Sequence, residues 1–260
     1  MEIGIAGRYA TLPGLVAPDD GNATIWRYVD FTKFVSLLDS RCLYFARCDR
    51  LDDSFEGSSP EKNVHHRLTD PFFEGMPEDW AGASIESERL RTFVNCWNLS
   101  DRESAALWGL YVPPQGGVAI QSTFRRLTES FDHDHEDEGQ HEEAVLVGKV
   151  RYIDYANDKF EPTVLAPFFH KRHSFEFESE VRALINPLVT HSHEEPVVVP
   201  PPDGTVTGMT VRVDLERLVE AIYISPTAPD WFADLVRSLA LQYGCMAEVR
   251  QSDLAKSPIY

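Results

Sequence analysis

The chain has 260 residues, 43% of them hydrophobic, and its 24 Lys and Arg against 42 Asp and Glu give a formal net charge of −18. That length fits one or two globular domains, and so negative a balance excludes wrapping of extended nucleic acid as the main activity, because phosphate binding needs a basic track to release counterions. No run approaches the roughly eighteen consecutive apolar residues of a membrane span, and no basic stretch precedes an apolar core at the N-terminus, so a cytoplasmic protein without a membrane partner is expected.

Residues 1–24 carry Gly7, Pro13, Gly14, Pro18, Asp19, Asp20 and Gly21 with little periodicity and read as a flexible leader. Trp26-Arg27-Tyr28 then looks like a strand, and Asp30 caps a helix whose Phe31, Phe34, Leu37 and Leu38 recur at helical spacing. Leu43 to Arg47 is a second strand. Asp52-Asp53-Ser54-Phe55-Glu56-Gly57 is turn chemistry, with Asp52 as the residue that bonds its own backbone, and Ser59-Pro60-Glu61 opens a helix. A helical stretch around Ser84 to Leu90 leads into the strand Thr92 to Trp97. Asp101 is expected to cap a helix over Arg102 to Tyr111 that buries Ala105, Leu107, Trp108 and Tyr111. Val118 to Thr123 is a strand and Phe124 to Phe131 a short helix, with Ser122 or Thr123 as its cap.

Residues 132–143 hold seven acids and three histidines and no apolar side chain, so they read as a solvated loop. Beyond it come a long strand from Val145 to Tyr155, a helix from Pro162 to Phe169, a strand from Phe175 to Leu184, and another from Met209 to Val213. A strand, helix and strand over Ala221 to Ile224, Pro229 to Tyr243 and Met246 to Arg250 end the chain. Strands and helices interleave without a strict βαβ rhythm or a glycine-rich phosphate loop. The pattern predicts an α+β fold, a single domain over residues 25–260 with a mixed, mostly antiparallel sheet flanked by helices.

The chemistry-bearing stretch is Lys171-Arg172-His173-Ser174-Phe175-Glu176-Phe177-Glu178-Ser179-Glu180-Val181-Arg182. In a strand, alternation puts Glu176, Glu178, Glu180 and Arg182 on one face, with same-face neighbours roughly 7 Å apart. Like charges at that spacing raise a carboxyl pKa, and Arg182 holds one carboxylate ionised, so acid and base roles can divide between them. A solvent-facing strand with ordinary charges is the alternative. His170, Lys171, Arg172 and His173 make a local cationic cluster suited to an anionic substrate. The other histidines, His133, His135 and His141 among them, lie mostly in polar loops, and no metal site is expected from them. Asp52, Asp53 and Glu56 with Glu178, Glu180 and Lys171 suggest a metal-dependent nuclease as a rival class.

Trp26-Arg27-Tyr28, Leu43-Tyr44-Phe45, Asp52 to Gly57, Glu103 to Tyr111 with Gly117 to Ile120, and Lys171 with Phe175-x-x-Glu178-x-Glu180-x-Arg182 together resemble the bacterial and archaeal family catalogued as domain of unknown function 2971. The similarity runs from about Ile25 to the C-terminus and implies no activity. The chain is also distantly similar to ADP-ribosyltransferases, which carry an Arg on a first strand, a Ser-Thr pair on a later one and Glu-x-Glu on another; Arg27, Ser122-Thr123 and Glu178-x-Glu180 stand here in that order. This resemblance implies an NAD-using enzyme, an ADP-ribosyltransferase or NAD glycohydrolase, with Glu180 on the ribose, Glu178 orienting the acceptor, Arg182 beside them, and Arg27, Tyr28, Ser122 and Lys171 holding the dinucleotide. The chemistry accords with those residue types, since a carboxylate stabilises an oxocarbenium-like state. The alternative is a non-catalytic binding or regulatory module of a defence or toxin operon, with the charged strand facing a protein partner.

Overall fold

The computed structural model describes residues 9–10, 15–69, 80–114, 116–131, 144–161, 163–186 and 206–259. In chain order the described elements begin with β1 (Tyr9–Ala10), β2 (Thr24–Asp30), α1 (Phe31–Ser40), β3 (Cys42–Arg47), α2 (Glu61–Thr69), α3 (Trp80–Arg91) and β4 (Phe93–Leu99). They continue with α4 (Ala105–Tyr111), β5 (Gly117–Thr123), α5 (Phe124–Glu129), β6 (Val145–Lys149), β7 (Arg151–Ile153) and β8 (His170–Arg172). The last are β9 (Glu180–Ile185), β10 (Gly208–Arg212), α6 (Leu215–Leu218), β11 (Ala221–Ile224), α7 (Asp230–Gln242) and β12 (Glu248–Gln251). The fold is α+β, with mixed, mostly antiparallel pairing.

The chain divides into two compact units, the first formed by residues 1–17, 45–95 and 141–209 and the second by residues 18–44, 96–140 and 210–260. In the first, β9 lies between β6 and β4, and β3 pairs with β4 through Ala46–Val94 and Arg47–Phe93. Every residue of β9 is buried, Glu180 and Arg182 included. Within the span read as a leader, Tyr9–Ala10 pair in parallel with Val145–Leu146, and the Val16 carbonyl accepts from Lys149 N at 2.7 Å. In the second unit β5 is central, antiparallel to β2 over seven residue pairs and to β11 over four. Beyond β11 runs β12, in parallel.

Local rules account for most of these elements. Asp30 caps α1 by accepting from Lys33 N, and Phe34, Leu37 and Leu38 form its buried stripe. Thr123, the second residue of the Ser-Thr pair, caps α5 by accepting from Arg126 N. The expected cap at Asp101 is displaced to Ser104, which accepts from Leu107 N, so α4 starts later and buries Leu107 and Trp108 while Ala105 and Tyr111 stay exposed. The long strand from Val145 to Tyr155 is two, because Val150 N turns to the Glu180 carbonyl at 2.9 Å and Arg151–Ile153 pair separately with β8. Ala166–Phe169 form a 3-10 turn where a longer helix is expected, and Pro162, its expected first residue, lies outside the described residues. The acidic loop at 132–143 lies outside them too.

The segment Phe175 to Leu184 is not one strand. His173–Glu178 coil as a 3-10 helix, Ser179 takes a left-handed conformation (φ 39°, ψ 60°), and the strand begins only at Glu180. The strict alternation of Phe and Glu is overridden by tertiary contacts, among them the side-chain bond that closes Glu178 back onto Lys171.

Candidate functional site

The first unit gathers a buried ion network from three stretches of chain. The turn after β3 supplies Asp53 and Glu56, β8 supplies Lys171 and Arg172, and the 3-10 helix with β9 supplies Glu178, Glu180 and Arg182. Asp53 makes the turn, rather than Asp52: its Oδ1 accepts from Phe55 N at 3.0 Å, its carbonyl accepts from Glu56 N, and Asp52 is exposed. Gly57 follows with φ +73°, and a Cβ there would come within 2.7 Å of the Phe168 ring and 2.9 Å of the Arg89 stem, so only glycine lets Glu56 enter the network.

Lys171 Nζ is the hub. It lies 2.5 Å from Glu178 Oε2, 3.0 Å from Glu56 Oε1 and 3.2 Å from Glu180 Oε2. Arg182 closes the other side, its Nε donating to Glu180 Oε1 at 2.6 Å and its Nη1 to Glu56 Oε2 at 2.9 Å and to the Phe168 carbonyl at 2.7 Å. Tyr152, opposite Lys171 in the β7–β8 pair, accepts from Glu180 N at 2.8 Å and so fixes where β9 begins. Two cations, Lys171 and Arg182, face three carboxylates here, Glu56, Glu178 and Glu180. Paired and hydrogen-bonded in this way, charges are tolerated inside a sheet that could not hold them singly.

Burial alone would pull the Lys171 ammonium down, but the Glu180 and Glu56 carboxylates more than offset it and hold its pKa above the usual lysine range. Lys171 is thus a fixed positive charge, unsuited to act as nucleophile or base. Burial raises the Tyr152 phenol as well, and it lowers His170, partly countered by the bond from its Nδ1 to the Ala166 carbonyl at 2.6 Å. Of the network's carboxylates Glu178 is the outermost, with 12% of its side chain exposed against 4% for Glu56 and Glu180.

Arg172, next to the hub, faces outward. Asp53 takes one edge of its guanidinium, Oδ1 from Nη2 at 2.7 Å and Oδ2 from Nε at 3.3 Å. Its carbon lies 4.3 Å from the Phe55 ring centroid and 5.5 Å from that of Phe175. The Arg172 side chain remains 38% exposed, and Phe55, against which it packs, is exposed as well.

Lys171, Glu178, Glu180 and Arg182 come together, whereas Glu176, expected on the same strand face, is exposed and lies 3.6 Å from His173. Arg27, Tyr28 and Ser122 belong to the second unit and are engaged there: Arg27 Nη1 donates to the Cys96 carbonyl at 2.6 Å, Tyr28 Oη accepts from Ser104 N at 2.7 Å, and Ser122 Oγ donates to the Leu218 carbonyl at 2.5 Å. Tyr28 also packs edge-on against Trp108 and is pushed up to about 12 by burial.

No family model matches the chain, and no curated protein or solved structure matches it significantly. Among the described residues no group of three or more His, Cys, Asp or Glu is placed to hold a metal ion, and none of the helices is long and apolar enough to cross a membrane. Tyr152 is the network member that sequence reasoning missed. Its contribution is a hydroxyl meeting a backbone N–H, and a tyrosine in a strand carries no local signal of that.

Proposed function

We propose that the first unit recognises an anionic ligand of the nucleotide class, NAD being the first to test, with Arg172 as its anchor. The observation that carries this reading is the fixed guanidinium: Asp53 and Phe55 hold it in one orientation while more than a third of the side chain meets solvent. A guanidinium immobilised before binding loses little entropy when a phosphate docks on its free edge. Phe55, exposed beside the guanidinium, offers apolar surface to a planar ring, and aromatic with arginine is the composition of recognition surfaces. Behind it the buried, hydrogen-bonded network of Glu56, Lys171, Glu178, Glu180 and Arg182 serves as a rigid support.

A second reading, catalysis as in ADP-ribosyl transfer or NAD hydrolysis, is favoured by the Glu178-x-Glu180 pair. Both Glu180 oxygens are engaged, by Arg182 and Lys171, which leaves Glu178 at the network's edge as the carboxylate better placed to meet a bound ribose. The test is a thermal-shift titration of wild type and Arg172→Ala with NAD, ADP-ribose and pyrophosphate. The reading expects stabilisation by NAD and ADP-ribose that vanishes in the variant, and no stabilisation of the wild type would refute it. Nicotinamide release in the same samples separates the second reading from binding alone.

A further inference from the structure

Among the described residues β12 is the outermost strand of the second unit's sheet. Its parallel pairing with β11 sets Gln251 opposite Ile224, and Ser252 N donates to the Ile224 carbonyl at 3.1 Å. By the alternation of a strand, Glu248, Arg250 and Ser252 thus turn their backbone groups toward β11, while Val249 and Gln251 turn theirs to the open side. An edge of this kind is a template for another strand. On its N-terminal side exposed apolar residues precede it: Leu241, in the last turn of α7, and Met246, just before β12, are 61% and 76% exposed.

The side chains indicate which strand fits. Glu248 and Arg250 share one face, pair with each other at 2.6 Å and are 64% and 47% exposed. We propose that β12 pairs with β12 of a second copy, antiparallel about a two-fold axis passing through Val249. In a symmetric antiparallel pair, outward-turned residues must meet outward-turned residues, so an axis within the strand's charged stretch passes through Glu248, Val249 or Arg250. An axis through Glu248 or Arg250 sets like charges directly opposite. The axis through Val249 makes Val249 and the partner's Val249 exchange both backbone hydrogen bonds. It also sets Glu248 against the partner's Arg250 and Arg250 against the partner's Glu248, in the closer, non-hydrogen-bonded type of pair, Cα atoms about 4.5 Å apart. The edge is thus complementary to itself in one register, as an isologous interface requires. This inference is independent of the ligand proposed for the first unit.

Sedimentation velocity of the full chain over a concentration series tests it, with Val249→Pro, Glu248→Arg, and the swap Glu248→Arg with Arg250→Glu. The wild type is expected to approach twice the chain's mass. Val249→Pro removes the outward N–H while leaving the bonds of Glu248, Arg250 and Ser252 toward β11, so it should sediment as a monomer with the wild-type circular dichroism. Glu248→Arg sets arginines against each other and should weaken association by about tenfold or more, and the swap should restore it. A wild type that stays monomeric at the highest concentration, or a dimer indifferent to the charge changes, overturns the proposal. Should the proline variant fail to fold, the charge pair decides alone.

Discussion

Lys171 is held on three sides by carboxylates, and its neighbour Arg172 by one. The difference between them is burial, and it separates a structural charge from one offered to a ligand. Replacing Lys171 by Met would leave Glu56 and Glu180 buried with Arg182 as their remaining close cation, and breaking a buried pair from one side costs about 3–5 kcal/mol. Urea unfolding of Lys171→Met is expected to show a loss of that size, and a variant within about 0.5 kcal/mol of wild type would mean that the network is not what holds β9 in place. Glu180→Gln should be destabilising for the same reason, so loss of activity in that variant would not by itself identify a catalytic group. The site's members differ in how they can be seen from sequence. Lys171, Glu178, Glu180 and Arg182 lie within a dozen residues and declare themselves as one charged stretch. Glu56 is grouped with Glu178, Glu180 and Lys171 in the sequence as a candidate metal ligand, but its pairing with Arg182, 126 positions away, rests on the long-range contact, and Tyr152 joins through its hydroxyl alone.

At the scale of the element, most helices and strands follow from spacing and caps. Asp30, Thr123 and the apolar stripe of α7, with Phe232, Ala233, Val236 and Ala240 buried, are all readable without coordinates. The segment before β9 is not, because the alternation in Phe175-Glu176-Phe177-Glu178 describes a strand well, yet among the described residues no neighbour pairs with it as one; the bond from Lys171 to Glu178 and the left-handed Ser179 go with a 3-10 helix instead. Four-residue α6, capped by Asp214, is too short to show any period. The end of α1 permits a direct check. Arg41 caps it in the left-handed region (φ 53°), where glycine has no Cβ penalty, and its backbone N–H still donates to the Leu37 carbonyl. Arg41→Gly is expected to raise stability by up to about 1 kcal/mol in thermal unfolding. A fall in stability would show that the Arg41 side chain contributes more than its backbone costs.

Across the whole molecule, titration should narrow the stable range from both ends. His170 is buried with a lowered pKa, so its contribution is complete above its ordinary value of 6.5 and is lost as the pH falls from there through the folded-state value, since only the unfolded chain then takes up the proton. Lys171 is raised above 10.5, and Tyr28, Tyr152 and Tyr155 are raised above 10.0 by burial, Tyr28 and Tyr155 to about 12. Above those ordinary values the unfolded chain releases protons that the folded one keeps, so stability declines as the pH rises beyond about 10. Melting temperatures measured across the range should form a plateau between these limits, and Lys171→Met should flatten the alkaline limb; a limb unchanged in that variant would contradict the account of the hub. In a chain of net charge −18 any anion approaches against the overall field, so binding of one must rest on a local fixed cation. The most direct measurement is therefore a calorimetric titration of NAD into wild type and Arg172→Ala, with circular dichroism confirming that both are folded. Saturable heat in the wild type that disappears in the variant is the predicted result, and absence of heat in the wild type, or equal binding by both, would contradict it.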